Sequence, residues 1–178
     1  LDDKALREKT DGVDQRKKFR IRYYNDDFSF ITLEKKIKHG GLCKKLDARV
    51  SLEEVQKLLK GDRAWMMLRE DPLVRELYVR MKTEGLKPRV LVSYEREPYV
   101  FPAGNVRVTF DSNIRTSLNH QSFLEPQVWD ISAEEQKGQV VLEVKYDDFL
   151  PEVISHLIQT EGIRQQAFSK YGACRRYG

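Results

Sequence analysis

The sequence predicts an α+β protein: a closed antiparallel β-barrel with a charged lumen and helices packed outside it. Three observations lead there. Residues 15–41 (QRKKFRIRYYNDDFSFITLEKKIKHGG) form two alternating runs hinged at Asn25-Asp26-Asp27, and period-two alternation about a short Asn/Asp cluster is the mark of a hairpin. Each later strand-like run repeats the same division into one apolar and one charged face. Runs of helical spacing between them offer apolar stripes to cover the apolar faces. A barrel closed on its charged faces, with helices outside, satisfies both demands.

The elements follow in order. Asp3–Glu8 reads as the end of a helix stopped at Asp11-Gly12. The hairpin then places Lys18, Arg20 and Arg22 opposite Phe19, Ile21 and Tyr23, and Glu34, Lys36 and Lys38 opposite Ile31, Leu33 and Ile37. His39-Gly40-Gly41 leads into a polar connection. Ser51-Leu52-Glu53-Glu54 is a capping box for a helix carrying Val55, Leu58 and Leu59 and ending at Gly61. A second helix spans about Asp71 to Thr83, with Pro72 in its first turn, Leu73, Leu77 and Met81 four apart, and Gly85 and Pro88 closing it.

Strands then resume with 89–97, a turn at Pro102–Asn105, and a clean alternation from Val106 to Asp111 that sets Arg107, Thr109 and Asp111 on one face. Residues 113–136 are looser, with a short strand expected near Val128-Trp129. Lys137-Gly138 turns into a strand over 139–146, where Glu143 and Lys145 share a face. Pro151 opens a helix broken at Gly162, and a short basic tail (QQAFSKYGACRR) follows.

Composition narrows the class. The 178 residues are 34% charged and 40% hydrophobic with net charge +4, enough for one domain with a sizeable core. No repeat or linker divides the chain, so one domain over 1–178 is expected. There is no apolar run of membrane-spanning length and no signal peptide, and Cys43 and Cys174 lack CxxC spacing; a cytoplasmic protein with free thiols is expected. Leu1 in place of Met, at a point that reads as mid-helix, suggests that the natural N-terminus lies upstream.

The charged faces carry the chemistry. Lys18/Arg20/Arg22, Glu34/Lys36/Lys38, Arg96, Arg107/Asp111 and Glu143/Lys145 bring about eight cations and two or three carboxylates together. Like charges side by side destabilise a sheet unless water or an anion offsets them, and buried unpaired cations are costly. A lumen of this kind calls for a polyanion, with Glu34 and Glu143 as ligands for a divalent metal between phosphates. Taken one by one, these cations are also ordinary solvated charges and the glutamates ordinary salt-bridge partners. GxxxxGK[ST] and GxGxxG are absent, and His39, His120 and His156 are scattered. P-loop, dinucleotide, zinc and His-triad chemistry are therefore set aside. Nucleic acid is not expected, since aromatics do not interleave with the cationic faces.

The segments KKFRIRYY, FITLEKKIKHGG, VSYERE, NVRVTFDSNIRT, VVLEVKYDDFLP and FSKYGACR, in this order, resemble the VTC domain, the polyphosphate polymerase branch of the triphosphate tunnel metalloenzymes. The likeness runs from about Lys4 to Gly178. It implies a β-barrel tunnel whose basic residues hold a triphosphate and whose carboxylates hold Mn2+ or Mg2+. The implied activity is transfer of the ATP γ-phosphate to phosphate, pyrophosphate or a growing polyphosphate.

By that resemblance the RxR pair falls on Arg20 and Arg22, and Lys36 and Arg107 join them as catalytic residues gripping the donor. Arg96 and Lys170 steer the acceptor, with Lys18, Lys38 and Lys145 as further substrate-binding cations. Glu143, with Glu34, holds metal. The family's opening strands, one bearing Glu and Lys and one ending in a Tyr-Phe-Asp-Thr type sequence, have no counterpart here. Triphosphate hydrolysis in the same lumen and metal-free polyanion binding are the alternatives.

Overall fold

The computed structural model describes residues 11–126, 128–159, 162 and 164–177. The helix expected over Asp3–Glu8 lies outside the described residues. The chain is a mixed α/β structure with antiparallel sheets, and its contacts divide it into two compact units: residues 1–89 with 120–126, and residues 90–119 with 127–178. The strand ladders among the described residues form two sheets, one in each unit.

The first unit is a meander of β1 (Arg16–Tyr24), β2 (Asp27–His39) and β3 (Leu42–Val50). Asn25 and Asp26 turn the first hairpin at φ of 52° and 56°, the left-handed pair that a tight hairpin matched to strand twist requires. Gly40 and Gly41 turn the second at 58° and 77°. The second hairpin corrects the polar connection expected after Gly41. β3 alternates Leu46, Ala48 and Val50 against Cys43, Lys45, Asp47 and Arg49, but Lys44 interrupts its apolar face.

Register puts Lys18 opposite Lys36, Arg20 opposite Glu34, and Lys36 opposite Lys45. The charged face foreseen for two strands therefore spans three. On the other face, helices cover Ile31, Leu33, Ala48 and Val50. These are α1 (Leu52–Leu59), with the Ser51/Glu54 capping box, and α3 (Pro72–Thr83), capped by Asp71. A short helix α2 (Trp65–Leu68), unanticipated at four residues, adds Met66. Lys17 and Lys44 reach solvent from the edge of this apolar side, but a third cation on it is buried. Lys35, 5% exposed, donates to both oxygens of Glu76 on α3 at 2.7 and 2.5 Å. Residues 120–126 rejoin this unit, where Tyr23 donates to the Phe123 carbonyl at 3.0 Å.

The second unit centres on β5 (Val106–Ser117), which pairs along its length with β4 (Leu91–Phe101). Its first half also pairs with β7 (Val141–Lys145) and its second half with β6 (Ile131–Ser132). β6 replaces the strand expected at Val128-Trp129, and β5 runs six residues past Asp111 to Ser117.

That extension survives a bulge. The register slips between Ser93 and Glu95, where Asn113 takes φ of 49° and donates to Glu95 at 3.0 Å. The extra residue reverses the alternation, so Ile114 and Thr116, rather than Asn113 and Arg115, follow Asp111 on its face. Ile114 is fully buried there with Cys174, Ala133, Val92 and Tyr94.

Two helices follow: α4 (Glu152–Leu157), closing before Gly162, and α5 (Lys170–Cys174), a helix within the basic tail capped by Ser169. The opposite face of this sheet departs from expectation. Tyr99, Phe110 and Leu142 lie exposed on it instead of being covered by a helix of their unit. Both cysteines are free, and no described helix is long and apolar enough to cross a membrane.

Candidate functional site

In the first unit the charged face is organised by Glu34. Only 4% exposed, it receives Arg20 Nε at 2.5 Å, Arg22 Nη1 at 3.5 Å and Lys45 Nζ at 2.9 Å. Burial alone would push its carboxyl up. Hydrogen bonds from Lys45 and Arg20, with the charges of Arg20 and Arg22, outweigh that and hold it below its ordinary value. The sheet register produces this cluster, since Arg20 faces Glu34 directly and Lys45 lies one diagonal step away on β3. Lys36 and Lys38 stand on the same face without an ion-pair partner among the described residues. Lys18 faces Lys36.

The second unit has its own buried carboxylate, Asp111, with no solvent exposure. Arg96 donates to it in the bidentate fork, Nε to Oδ1 at 2.6 Å and Nη2 to Oδ2 at 2.7 Å, and Lys170 of α5 contacts Oδ2. Burial again acts to raise the carboxyl, and the Arg96 and Lys170 hydrogen bonds reverse it, leaving it below its ordinary value. The Tyr94 ring lies under both cations, 5.3 Å from the Arg96 guanidinium and 4.9 Å from Lys170 Nζ.

On the same face Glu143 meets Lys145 at 3.1 Å and, more distantly, Arg96 at 3.7 Å. Thr109, opposite Glu143, is 2% exposed and its hydroxyl finds no hydrogen-bond partner among the described residues. Arg107 is exposed, has no ion-pair partner among them, and with Asn105, Lys145, Tyr146 and Asp147 lines an open cleft of about 510 Å³.

The anticipated residues thus gather in two groups. Arg20, Arg22, Lys18, Glu34, Lys36 and Lys38 share the face of the first sheet. Arg96, Arg107, Glu143 and Lys145, with Lys170, share that of the second. Three participants went unsingled in the sequence. Lys45 was lost with β3, Asp111 was noted only as a face residue, and Tyr94 stood unremarked two residues before Arg96. A Gly-Gly turn followed by alternation would have exposed Lys45.

Divalent cations of the Mg2+ type commonly bind through one or two carboxylates plus substrate phosphate oxygens. Glu143 fits such a role, being two-fifths exposed along its side chain and held only by two cations. Glu34 fits less well, because three cations already occupy its oxygens. Among the described residues no three His, Cys, Asp or Glu side chains form a metal-binding group by themselves.

No curated protein and no solved structure matches the chain. The family model of the VTC domain matches residues 1–177, essentially the whole sequence. With its cations ordered over buried carboxylates on sheet faces, and with that match, the chain belongs to the VTC-domain family, whose function is polyphosphate-related.

Proposed function

We propose that the protein is a metal-assisted phosphotransferase of the polyphosphate polymerase kind, moving the ATP γ-phosphate onto a phosphate, pyrophosphate or polyphosphate acceptor. The observation that carries the reading is the pair of cation-rich sheet faces, each anchored by one buried carboxylate. The closed barrel tunnel and a cytoplasmic location, where ATP is at hand, are parts of this proposal and rest on the family resemblance.

Phosphoryl transfer needs in-line positioning and charge neutralisation more than a nucleophilic side chain. Arg20 and Arg22, held by Glu34, grip the donor phosphates with Lys36 and Arg107, which have no ion-pair partner among the described residues; guanidinium groups do so through paired N–H bonds. Lys18, Lys38 and Lys145 extend the cationic track along which a longer chain is held. Arg96 and Lys170 orient the acceptor, whose terminal oxygen is the attacking group. Glu143 would hold Mn2+ or Mg2+, which would supply neutralisation of the phosphates' negative charge.

The test is to incubate the complete protein with ATP and Mn2+ and to analyse the products. Acid-stable polymer is the expected result. Free phosphate without polymer would make the protein a triphosphate hydrolase. Tight polyphosphate binding with no ATP consumption under any metal would make it a binding module.

A further inference from the structure

Asp111 is a carboxylate in the middle of a phosphate-binding face, where its charge opposes the ligand. It cannot serve as a ligand group itself. It is completely buried, and both of its oxygens are taken by Arg96 and Lys170. We propose that Asp111 is a positioning residue that locks Arg96 of β4 and Lys170 of α5 into one two-cation clamp for the end of a phosphate chain. The inference rests on the phosphotransferase reading and names a residue which that reading leaves without a role.

The geometry of the guanidinium supports it. Asp111 takes the edge formed by Nε and Nη2, and Nη1 of Arg96 has no hydrogen-bond partner among the described residues and can meet a phosphate oxygen. A guanidinium fixed on one edge cannot swing away, so its other edge stays aimed at the acceptor phosphate, and the lock supplies orientation of the attacking oxygen more than affinity. Lys170 shares Oδ2 with Arg96 and keeps further ammonium hydrogens for a ligand. Tyr94 forms a common floor under the two heads, and the side chains of Arg96 and Lys170 remain 26% and 18% exposed.

A plain tether between α5 and the sheet would need no such arrangement. Cys174 and Ala173 of α5 are already buried, Cys174 against Ile114, and Phe168 packs beside them.

A positioning role and a tether separate in the experiment. In the full chain with Mn2+, Asp111→Asn removes a negative charge while keeping the side-chain shape. Its dissociation constant for inorganic tripolyphosphate, by titration calorimetry, is expected within threefold of the unmutated protein or tighter. Its rate of ATP consumption at saturating ATP is expected to fall at least tenfold. Arg96→Lys, which keeps the charge but not the fork, should repeat that split without leaving a buried carboxylate uncompensated, and so serves if Asp111→Asn does not fold.

Full rate in either folded variant overturns the proposal. So does weakened binding that accounts for the whole loss of rate, since that is what a tether would give. An unmutated protein that fails to consume ATP overturns the phosphotransferase reading, and this role with it. An active one with an unimpaired Asp111→Asn variant overturns only the clamp.

Discussion

Glu34 in the first unit and Asp111 in the second are both buried carboxylates beneath arginine and lysine, but the structures around them differ. Glu34 gathers cations from the two strands that flank its own, and the sheet beneath it is backed by α1 and α3 over a continuous apolar core. Asp111 draws one cation from a strand and one from a helix fifty-nine residues further along the chain. Its sheet has a smaller core and leaves Tyr99, Phe110 and Leu142 exposed on the reverse side. The first unit builds its charge from local pairing on a well-supported sheet. The second depends on a distant contact, and also carries Glu143, the carboxylate that suits a metal. Rigidity and adjustable chemistry are thus assigned to different units.

The sharpest way to test that division is Glu143→Gln. Turnover is expected to vanish while tripolyphosphate still binds and the melting temperature holds; retained activity, or activity indifferent to chelator, would remove the metal role from the second unit. Next in size is a paired truncation. Leu33→Ala opens a cavity in the core of the first unit and should cost about 3 kcal/mol, whereas Leu142→Ala on the exposed face should cost under about 1 kcal/mol. Urea unfolding of both variants checks the contrast, and equal losses would mean that the second sheet is covered after all. Arg107→Ala, without a carboxylate to compensate, should lower turnover on the order of a hundredfold, read from initial rates of ATP consumption.

Gly104→Ala tests the second unit's own tie. Gly104 has φ of 73°, and an added Cβ would meet the Phe149 carbonyl oxygen at 2.5 Å, while its carbonyl accepts from Asp147 N–H at 3.1 Å. Backbone strain and that clash should together cost about 2 kcal/mol, seen as a lower melting temperature.

The gentlest test is pH. Glu34, Glu76 and Asp111 all fold with carboxyls held below their ordinary values by the cations they face, against the burial that would raise them. Their stabilisation is therefore complete above the unfolded-state values near 4 and is lost as pH falls through the lowered folded ones. Thermal melts should be flat from about pH 7 to 5 with respect to these groups and should fall steeply below about pH 4. Asp111→Asn and Glu34→Gln should each flatten that fall.

The two units were unequally legible in the sequence. The hairpin of β1 and β2 could be read because its alternation holds at most positions on both sides of the turn, Lys35 apart, and its turn residues tolerate positive φ, so the faces of Arg20, Arg22, Glu34 and Lys36 follow from the sequence. β3 escaped because Lys44 sits where an apolar residue belongs, and Lys45 went with it. Lys35 was passed over among its neighbours; its partner Glu76 lies on a helix, and tertiary pairing leaves no periodic trace. In the second unit Arg107 and Glu143 were on readable strands. The union of Arg96, Asp111 and Lys170 was not readable, because a five-residue helix has too few turns to declare itself. Asn113, one residue outside the pattern, also hid the continuation of β5.

That single residue has a geometric consequence. A strand that took Asn113 into regular alternation would have one phase from end to end, and a face that begins charged with Arg107 would stay polar through Arg115. Asn113 inserts a half-period, so one continuous β5 presents charge along its first half and hydrocarbon along its second, both toward the same side. Excising Asn113 would therefore leave Ile114 and Thr116 on the side they now occupy, whereas straightening β5 with Asn113 kept in the ladder would send Ile114 to the reverse side and bring Arg115 round against Cys174.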